Sequence, residues 1–580
     1  MGSSDIAFTF ITCVAFMAFV GWFSYLKTRG EVDTKEGYFL AGRGLTGTFI
    51  AGSLLLTNLS AEQLIGLNGS AFGFNMTAMA WEVTAGIAII VMALVFLPKY
   101  LGGAFSTLPQ FLEDRFDPGV RRLSVVLFLF GYGLITIPSI LYSGSLAVLR
   151  LFDVPSLLGV GFESALLITI LIIGVIGGIY AIFGGLRAVA VSDTINGVGL
   201  LIVGTLVPIF GLLALGQGDI AAGLNTVLTE DTDKLNAIGT SSDPVPFGTL
   251  FTGMLLANLF YWGTNQYVIQ RTLGAKNLAE GQKGVLLSGF FKLLVPFFMM
   301  LPGIIAFHLY KGELEHMDLA YPTLVADVLP VYLAGFFLAV LLGAVFSSFN
   351  SLLNSAATLF CLDVYQPMRK EPVSDAQLIR IAKIASLVIA LFSFAAAPLL
   401  QYAPEGLWQI IRIFTGFYNI PIITLVLVGL FTKRVPALAA KVAVTFHVIA
   451  YGLLQFVIQP DINFIHIYAI LFVIELGIML TIGQFKPRAE AWSYTPREVV
   501  DMTPWRLAVP TAIVLAAGIV LTYLLFSPWG LVGGITAPFW VGVAVTIAVT
   551  IGLWIWSERR WRRRYAATAS GSTSSNEHAG

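Results

Sequence analysis

Apolar stretches of about twenty residues recur along the whole chain, separated by short polar segments. A helix needs about 20 mostly apolar residues to cross the hydrocarbon of a bilayer. Fifteen stretches meet that length, at about 5–26, 48–73, 78–101, 121–150, 158–184, 190–216, 247–268, 281–310, 330–364, 378–402, 406–431, 437–458, 463–484, 504–526 and 534–557. Pro528 and Gly530 lie close to the junction of the last two, so the pattern predicts 14 or 15 transmembrane helices and an all-α integral membrane protein. The first stretch lacks a basic segment before it and a small-residue cleavage site after it, and reads as a retained helix rather than a signal peptide.

Composition agrees: 57% of residues are hydrophobic and 11% charged, with a mean hydropathy of +0.84. A soluble chain carries about 25% charged residues. Acidic and basic residues balance at 33 each, which gives no reason to expect a nucleic-acid partner. Cys13 and Cys361 lie in apolar runs and read as core thiols, and the five histidines show no metal-ligand spacing.

Cytoplasmic loops carry an excess of lysine and arginine. With the N-terminus outside, 28 of the 33 basic residues fall inside, three (Arg150, Lys234, Lys311) fall outside, and Lys292 and Arg412 lie within spans. The C-terminus, with the Arg559–Arg564 cluster, is then cytoplasmic. The acidic segment at about 217–246 reads as a solvated outside loop, and 565–580 as a disordered cytoplasmic tail.

Polar side chains inside a bilayer are costly and usually face a cavity. The second stretch holds Asn58, Ser60, Glu62 and Gln63 near its middle. A broken helix lining a site accommodates them, and its freed carbonyls become available to a cation. Trp81 and Glu82 sit at the outer end of the third stretch. In the seventh, Asn258, Tyr261, Trp262 and Asn265 share one helical face, with Gln266 following. Aromatic rings interleaved with amides suit a sugar, whose CH face stacks while its hydroxyls hydrogen-bond. Lys292 lies too deep in its stretch to snorkel easily, and Arg412 lies six residues from the predicted outer end of its own. Ser347 and Ser348 supply hard oxygen in an apolar helix. Asp193 opens the sixth stretch, where an acid is either a helix cap or a functional group.

These residues fall within segments that resemble the sodium:solute symporter family, in its bacterial sodium–sugar branch. The carrying segments are GYFLAGRGL (37–45), TNLSAEQLIGLNGS (57–70), NLFYWGTNQYVIQRTLGAKNLAEGQKG (258–284), FKLLVPF (291–297) and SSFNSLLNSAATLF (347–360). The resemblance implies two inverted five-helix repeats, at about 48–216 and 247–431, each opening on a broken helix. They form a transport core over 36–431, between an extra N-terminal helix (1–30) and accessory C-terminal helices (432–564). It also implies site residues. Gln63, Glu82, Asn258 and Lys292 match positions that bond sugar hydroxyls, with Asn58 and Glu62 beside them. Tyr261 matches the aromatic stacked on the sugar from the inner side, with Trp262 next to it. Leu67, Trp81 and Trp408 match an outer lid. Sodium maps to the carbonyls of Leu56, Leu59 and Ala344 and the hydroxyls of Ser347 and Ser348, and Asp193 to an acid on the cytoplasmic sodium route.

The chain departs from the sugar branch where glutamine becomes Arg412, serine becomes Ala85 and asparagine becomes Thr136. A guanidinium recognises carboxylate or sulfonate bidentately. Two substrate classes therefore stay open: a neutral sugar, or an acidic one such as a uronate or sulfonated sugar. The expected function is sodium-coupled import of a sugar-like solute across a bacterial inner membrane. Sodium is the co-transported ion; no organic cofactor, obligate protein partner or enzymatic activity is expected, and the lipids of the membrane are the surroundings. A membrane enzyme acting on lipid-linked sugars would need an acidic metal or phosphate constellation, and a sensor would need a long signalling domain; neither is seen.

Overall fold

The computed structural model describes residues 3–28, 40–314, 317–369, 371–402, 407–497 and 499–571. These are helical with short connections. In chain order the main helices are α1 (Ser3–Thr28), α2 (Gly47–Asn58), α3 (Ala61–Gly73), α4 (Met76–Gly102), α5 (Pro118–Leu149), α6 (Phe162–Leu215), α7 (Gly253–Gly263) and α8 (Gln266–Leu273). There follow α9 (Leu278–Tyr310), α10 (Val331–Met368), α11 (Asp375–Leu400), α12 (Leu407–Phe431), α13 (Ala437–Ile458), α14 (Phe464–Phe485), α15 (Ala508–Leu525) and α16 (Ala537–Gly571).

Among the described residues twelve helices are long and apolar enough to cross a membrane, and thirteen with the bent pair α2–α3. The two other expected stretches are also helical. One is the apolar first part of α6, Phe162–Gly178. The other is the pair α7–α8, interrupted at Thr264 and Asn265. Two runs of five thus follow one another, and each opens on a broken helix.

Several expectations change. The loop placed at Arg187 is helical backbone within α6. Asp193 therefore caps no helix; it lies inside α6 and is fully buried. The tail predicted to be disordered is helical to Gly571, and 572–580 lie outside the described residues. The acidic segment carries a helix over Ile220–Thr229 and is tied down. Lys234 donates to the Phe72 carbonyl (2.7 Å) at the end of α3, and Asn75 to Asp243 (2.7 Å). Burial alone would raise the Asp243 carboxyl, but the donors Thr240 and Asn75 outweigh it and hold it below the usual carboxylate range.

At the opposite, basic end, Arg115 is fully buried rather than in a loop. It donates to the carbonyls of Gly429 (2.9 Å), Thr432 (3.1 Å) and Val435 (3.2 Å). The segment from Lys486 to Leu507 straps this end. Tyr494 donates to Lys99 O (2.7 Å), Arg497 N to Gly102 O (2.7 Å) and Leu278 N to Asp501 O (3.0 Å).

Close packing sets the second half of the broken helix. Asn68 of α3 accepts from Gly303 N (2.8 Å) in α9, and a Cβ at Gly303 would lie 2.1 Å from the Asn68 carbonyl oxygen. A Gly303→Val substitution should therefore push α3 away from α9 and destabilise the protein by about 1–3 kcal/mol. Thermal unfolding of the purified variant checks this: the melting temperature falls below that of the parent.

Candidate functional site

The break between α2 and α3 is a backbone event. In a continuous helix Ser60 N–H would bond the Leu56 carbonyl and Gln63 N–H the Leu59 carbonyl. Instead Ser60 N bonds Asn58 O (3.0 Å) and Gln63 N bonds Ser60 O (3.1 Å). The two halves bend by 57°. The redirected amides leave the Leu56 and Leu59 carbonyls available to another partner. Ser348 of α10 reaches one of them, donating to Leu56 O at 3.3 Å. Leu56, Leu59, Ala344, Ser347 and Ser348 are all buried, and of these Ser348 meets Leu56 where α2 packs on α10. Among the described residues no group of three or more His, Cys, Asp or Glu could hold a metal. These oxygens are neutral, and a small monovalent ion needs oxygen ligands but no carboxylate.

The second break is closed differently. Thr264 N and Asn265 N both turn back to Phe260 O (2.9 Å each), and Tyr100 donates to Gly263 O (2.9 Å). Asn265 is held from across the bundle by the Tyr132 hydroxyl, which donates to its Oδ1 (2.5 Å). Tyr132 begins a π-helical turn to Thr136 in α5, a local widening often found at functional sites.

Between the two breaks lies one polar cavity. Its walls include Asn58, Glu62, Gln63, Trp81 and Glu82 from the first five helices. Asn258, Tyr261, Trp262 and Asn265 face it from the second broken helix, as their shared helical face predicted. Lys292 pairs with Glu82 behind this wall and sits 5.3 Å from the Trp262 ring centroid. Both charges are buried, so snorkelling is excluded for Lys292, and Glu82 is no interfacial acid. Gln63 Nε2 donates to the other Glu82 oxygen (3.1 Å), and Ser139 donates to Glu62 (3.3 Å). Asn258 donates to Thr84 (2.9 Å), and Tyr267 to the Tyr261 hydroxyl (2.8 Å). Arg412 lines the cavity too, 4.6 Å from the Trp81 ring centroid.

Three acceptors in this wall are buried with no hydrogen-bond partner: Asn58 Oδ1, Gln63 Oε1 and Asn419 Oδ1. A buried, unsatisfied acceptor costs about 1–3 kcal/mol. Three in one cavity call for a ligand that brings donors.

Leu67 is fully buried but is not among the cavity-lining residues, unlike the other lid residue Trp81. The Trp408 side chain lies outside the described residues. Asp193 accepts from Ser53 (2.8 Å) and lies 3.8 Å from Arg271, a residue expected in a loop and found fully buried. Thr415, Tyr418 and Asn419 of α12 line the cavity and were missed. Their spacing from Arg412, three residues and then six and seven, marks one helical face and could have found them.

The Glu82–Lys292 pair yields a test. Removing one partner of a buried pair leaves an uncompensated charge and costs about 3–5 kcal/mol, whereas removing both does not. Glu82→Gln and Lys292→Met should each lower thermal stability more than the double variant does. Unfolding curves of the three purified proteins measure the difference.

The pattern that defines the Sodium:solute symporter family matches residues 38–444. The Escherichia coli (strain K12) protein named Uncharacterized symporter YidK is 44% identical over 498 residues, covering 86% of this chain and 87% of its own length. The Sodium/glucose cotransporter of Vibrio parahaemolyticus is 31% identical over 457 residues, covering 75% of this chain and 82% of its own. A solved structure, of the substrate-bound outward-open state of a Na+-coupled sialic acid symporter, matches with a TM-score of 0.71. It covers 84% of this chain and 99% of its own, and at 22% identity it shows the fold alone, the inverted-repeat transporter architecture.

Proposed function

Because the chain belongs to the sodium:solute symporter family, it couples the movement of a small solute to sodium, and we propose that the solute is a neutral, polyhydroxylated sugar taken up by alternating access. The observation that carries the reading is the set of three unpartnered amide oxygens on Asn58, Gln63 and Asn419. Sugar hydroxyls are donors and would satisfy them. The rings of Trp81, Tyr261 and Trp262 give a CH face something to stack on. Two acids, Glu62 and Glu82, are matched in number by Arg412 and by Lys292 behind Glu82. Matched in this way, they leave no spare positive charge for a carboxylate or sulfonate, which favours the neutral sugar.

Each group then has a role. Sodium binds the carbonyls of Leu56, Leu59 and Ala344 and the hydroxyls of Ser347 and Ser348. Cross-linking α2 to α10 in this way orders the break and sets Asn58, Glu62 and Gln63 for the solute. Gln63, Glu82 and Asn258 bond its hydroxyls, and Lys292, expected to join them, holds Glu82 from behind. Trp81 closes the outer side with Leu67 and Trp408, and Tyr261 closes the inner. Asp193 receives the ion on its way inward. The core, 36–431, carries out this cycle in the inner membrane, with the N-terminus outside and the basic end in the cytoplasm. No step is covalent. One charge crossing about 100 mV supplies roughly 2.3 kcal/mol, and a tenfold sodium gradient adds about 1.4 kcal/mol. Their sum is enough to concentrate a solute several-hundredfold.

Uptake into proteoliposomes tests the reading, using radiolabelled neutral hexoses, a pentose and a uronate under an inward sodium gradient. The expected result is uptake of a neutral sugar that stops when choline replaces sodium; uptake of the uronate alone would reverse the substrate assignment. For the cation residues, Ser348→Ala should raise the sodium concentration for half-maximal uptake by about tenfold, the equivalent of one charge-assisted bond. An unchanged sodium dependence would move the ion elsewhere.

A further inference from the structure

A second, apolar cavity lies behind the solute site, on the flank of the bundle. It is a groove of about 720 Å³ between α4, the start of α7 and α15, near the end where the acidic segment sits. Ile87, Phe251, Val520 and Trp529 are exposed along it, and Leu255 and Leu524 line it as well. The helix α15 is seated tightly beside it. Ile519 packs on Gly86 of α4, where a Cβ would lie 2.7 Å from its Cδ1. The groove is therefore a gap between rigidly docked helices.

Two polar groups belong to this apolar groove. Tyr523 lines it, and its buried hydroxyl has no hydrogen-bond partner. Thr84 also lines it; its Oγ1 donates to Ala80 O (2.5 Å) and accepts from Asn258 Nδ2 (2.9 Å). The groove and the solute cavity are thus separated by one side-chain pair. Tyr523 lies two residues before the end of α15 and six before Trp529, close to the end of an apolar span, where tyrosine and tryptophan commonly mark the boundary of the hydrocarbon. A lipid there would bring an acyl chain to the apolar gap and an ester carbonyl to the phenol that lacks an acceptor.

We propose that this groove is a binding site for a resident glycerophospholipid, one acyl chain filling the gap and its ester carbonyl accepting a hydrogen bond from Tyr523. The lipid then forms the outer backing of the Thr84–Asn258 pair, and with it one wall of the solute cavity. The site is independent of which solute the protein carries.

The test uses the full chain in nanodiscs that contain a trace of phosphatidylglycerol with a photoactivatable diazirine on its acyl chain. After illumination, labelled residues are mapped by peptide mass spectrometry. Val545 and Ile551 of α16, exposed on a helix outside the groove, report ordinary contact with surrounding lipid. Labelling of Ile87, Leu255 and Leu524 should exceed theirs by about fivefold or more, the retention that one hydrogen bond provides. Val520→Trp, which fills the groove from its exposed side, should reduce that excess to background. Tyr523→Phe removes only the hydroxyl, leaves the packing intact, and should reduce the excess by about fivefold. Equal labelling of groove and α16 positions, or an excess untouched by both variants, would overturn the site.

Discussion

A backbone that crosses hydrocarbon must satisfy its own N–H and C=O groups, and the break between α2 and α3 is an exception on which the rest of this protein's site depends. At Ser60 and Gln63 the amides turn aside, and carbonyls that a helix would consume are left over. Such a break survives only if something else holds both halves. Here α10 approaches the first half through Ser348, and α9 grips the second half through Gly303 and Asn68. The freed Leu56 carbonyl meets the buried Ser348 hydroxyl rather than lipid. The same local defect leaves oxygens for the proposed ion and brings Glu62 and Gln63 to the polar cavity.

Buried charges obey a related constraint. Glu82 meets Lys292, Asp193 meets Arg271, and Arg121 meets Asp363, each pair joining helices distant in sequence. An isolated charge in this interior would be prohibitive. Pairing makes it tolerable and fixes which helices lie together. The partners are joined to hydroxyls and amides as well: Ser53 bridges Asp193 and Arg271, accepting from Arg271 Nε at 2.6 Å and donating to Asp193 at 2.8 Å. A change at one end of this network is felt at the other, which places the Asp193–Arg271 pair in mechanical contact with α2.

Much of this was legible in sequence because membranes simplify the code. Apolar length marks the helices, and an out-of-place Asn, Glu or Lys marks the cavity. Asn58, Glu62, Gln63 and the Asn258–Asn265 face were found on that signal alone. Arg115 and Arg271 were misplaced for the same reason: both were counted with loops because they border apolar stretches. What the pattern cannot show is that a neighbouring chain segment supplies carbonyls to bury a guanidinium, as Gly429, Thr432 and Val435 do for Arg115. Asp193 looked like a cap because a turn was assumed at Arg187; continuous helix removes the cap and leaves the acid. Thr415, Tyr418 and Asn419 were hidden because Thr, Tyr and Asn singly are unremarkable in a membrane helix, and only their shared face with Arg412 distinguishes them.

The helix that carries this missed face is held unlike the broken ones. Tyr468 of α14 donates to Arg412 O (2.6 Å), Tyr451 of α13 donates to Ile413 O (2.8 Å), and His447 Nε2 lies 2.9 Å from Gly416 O. His447 is itself paired to Glu475 in the buried seam between α13 and α14. Three consecutive grips on one turn and a half of α12 fix its backbone relative to the accessory helices. The opposing walls come from α3, which begins at a break, and α7, which ends at one; at both, backbone bonds have already been exchanged. A rigid face carrying Arg412 and Asn419 thus confronts two interrupted helices across the solute cavity. The proposed sodium at Leu56 and Ser348 would therefore act first on the breaks, while the bonds from α13 and α14 keep the α12 side of the cavity in place.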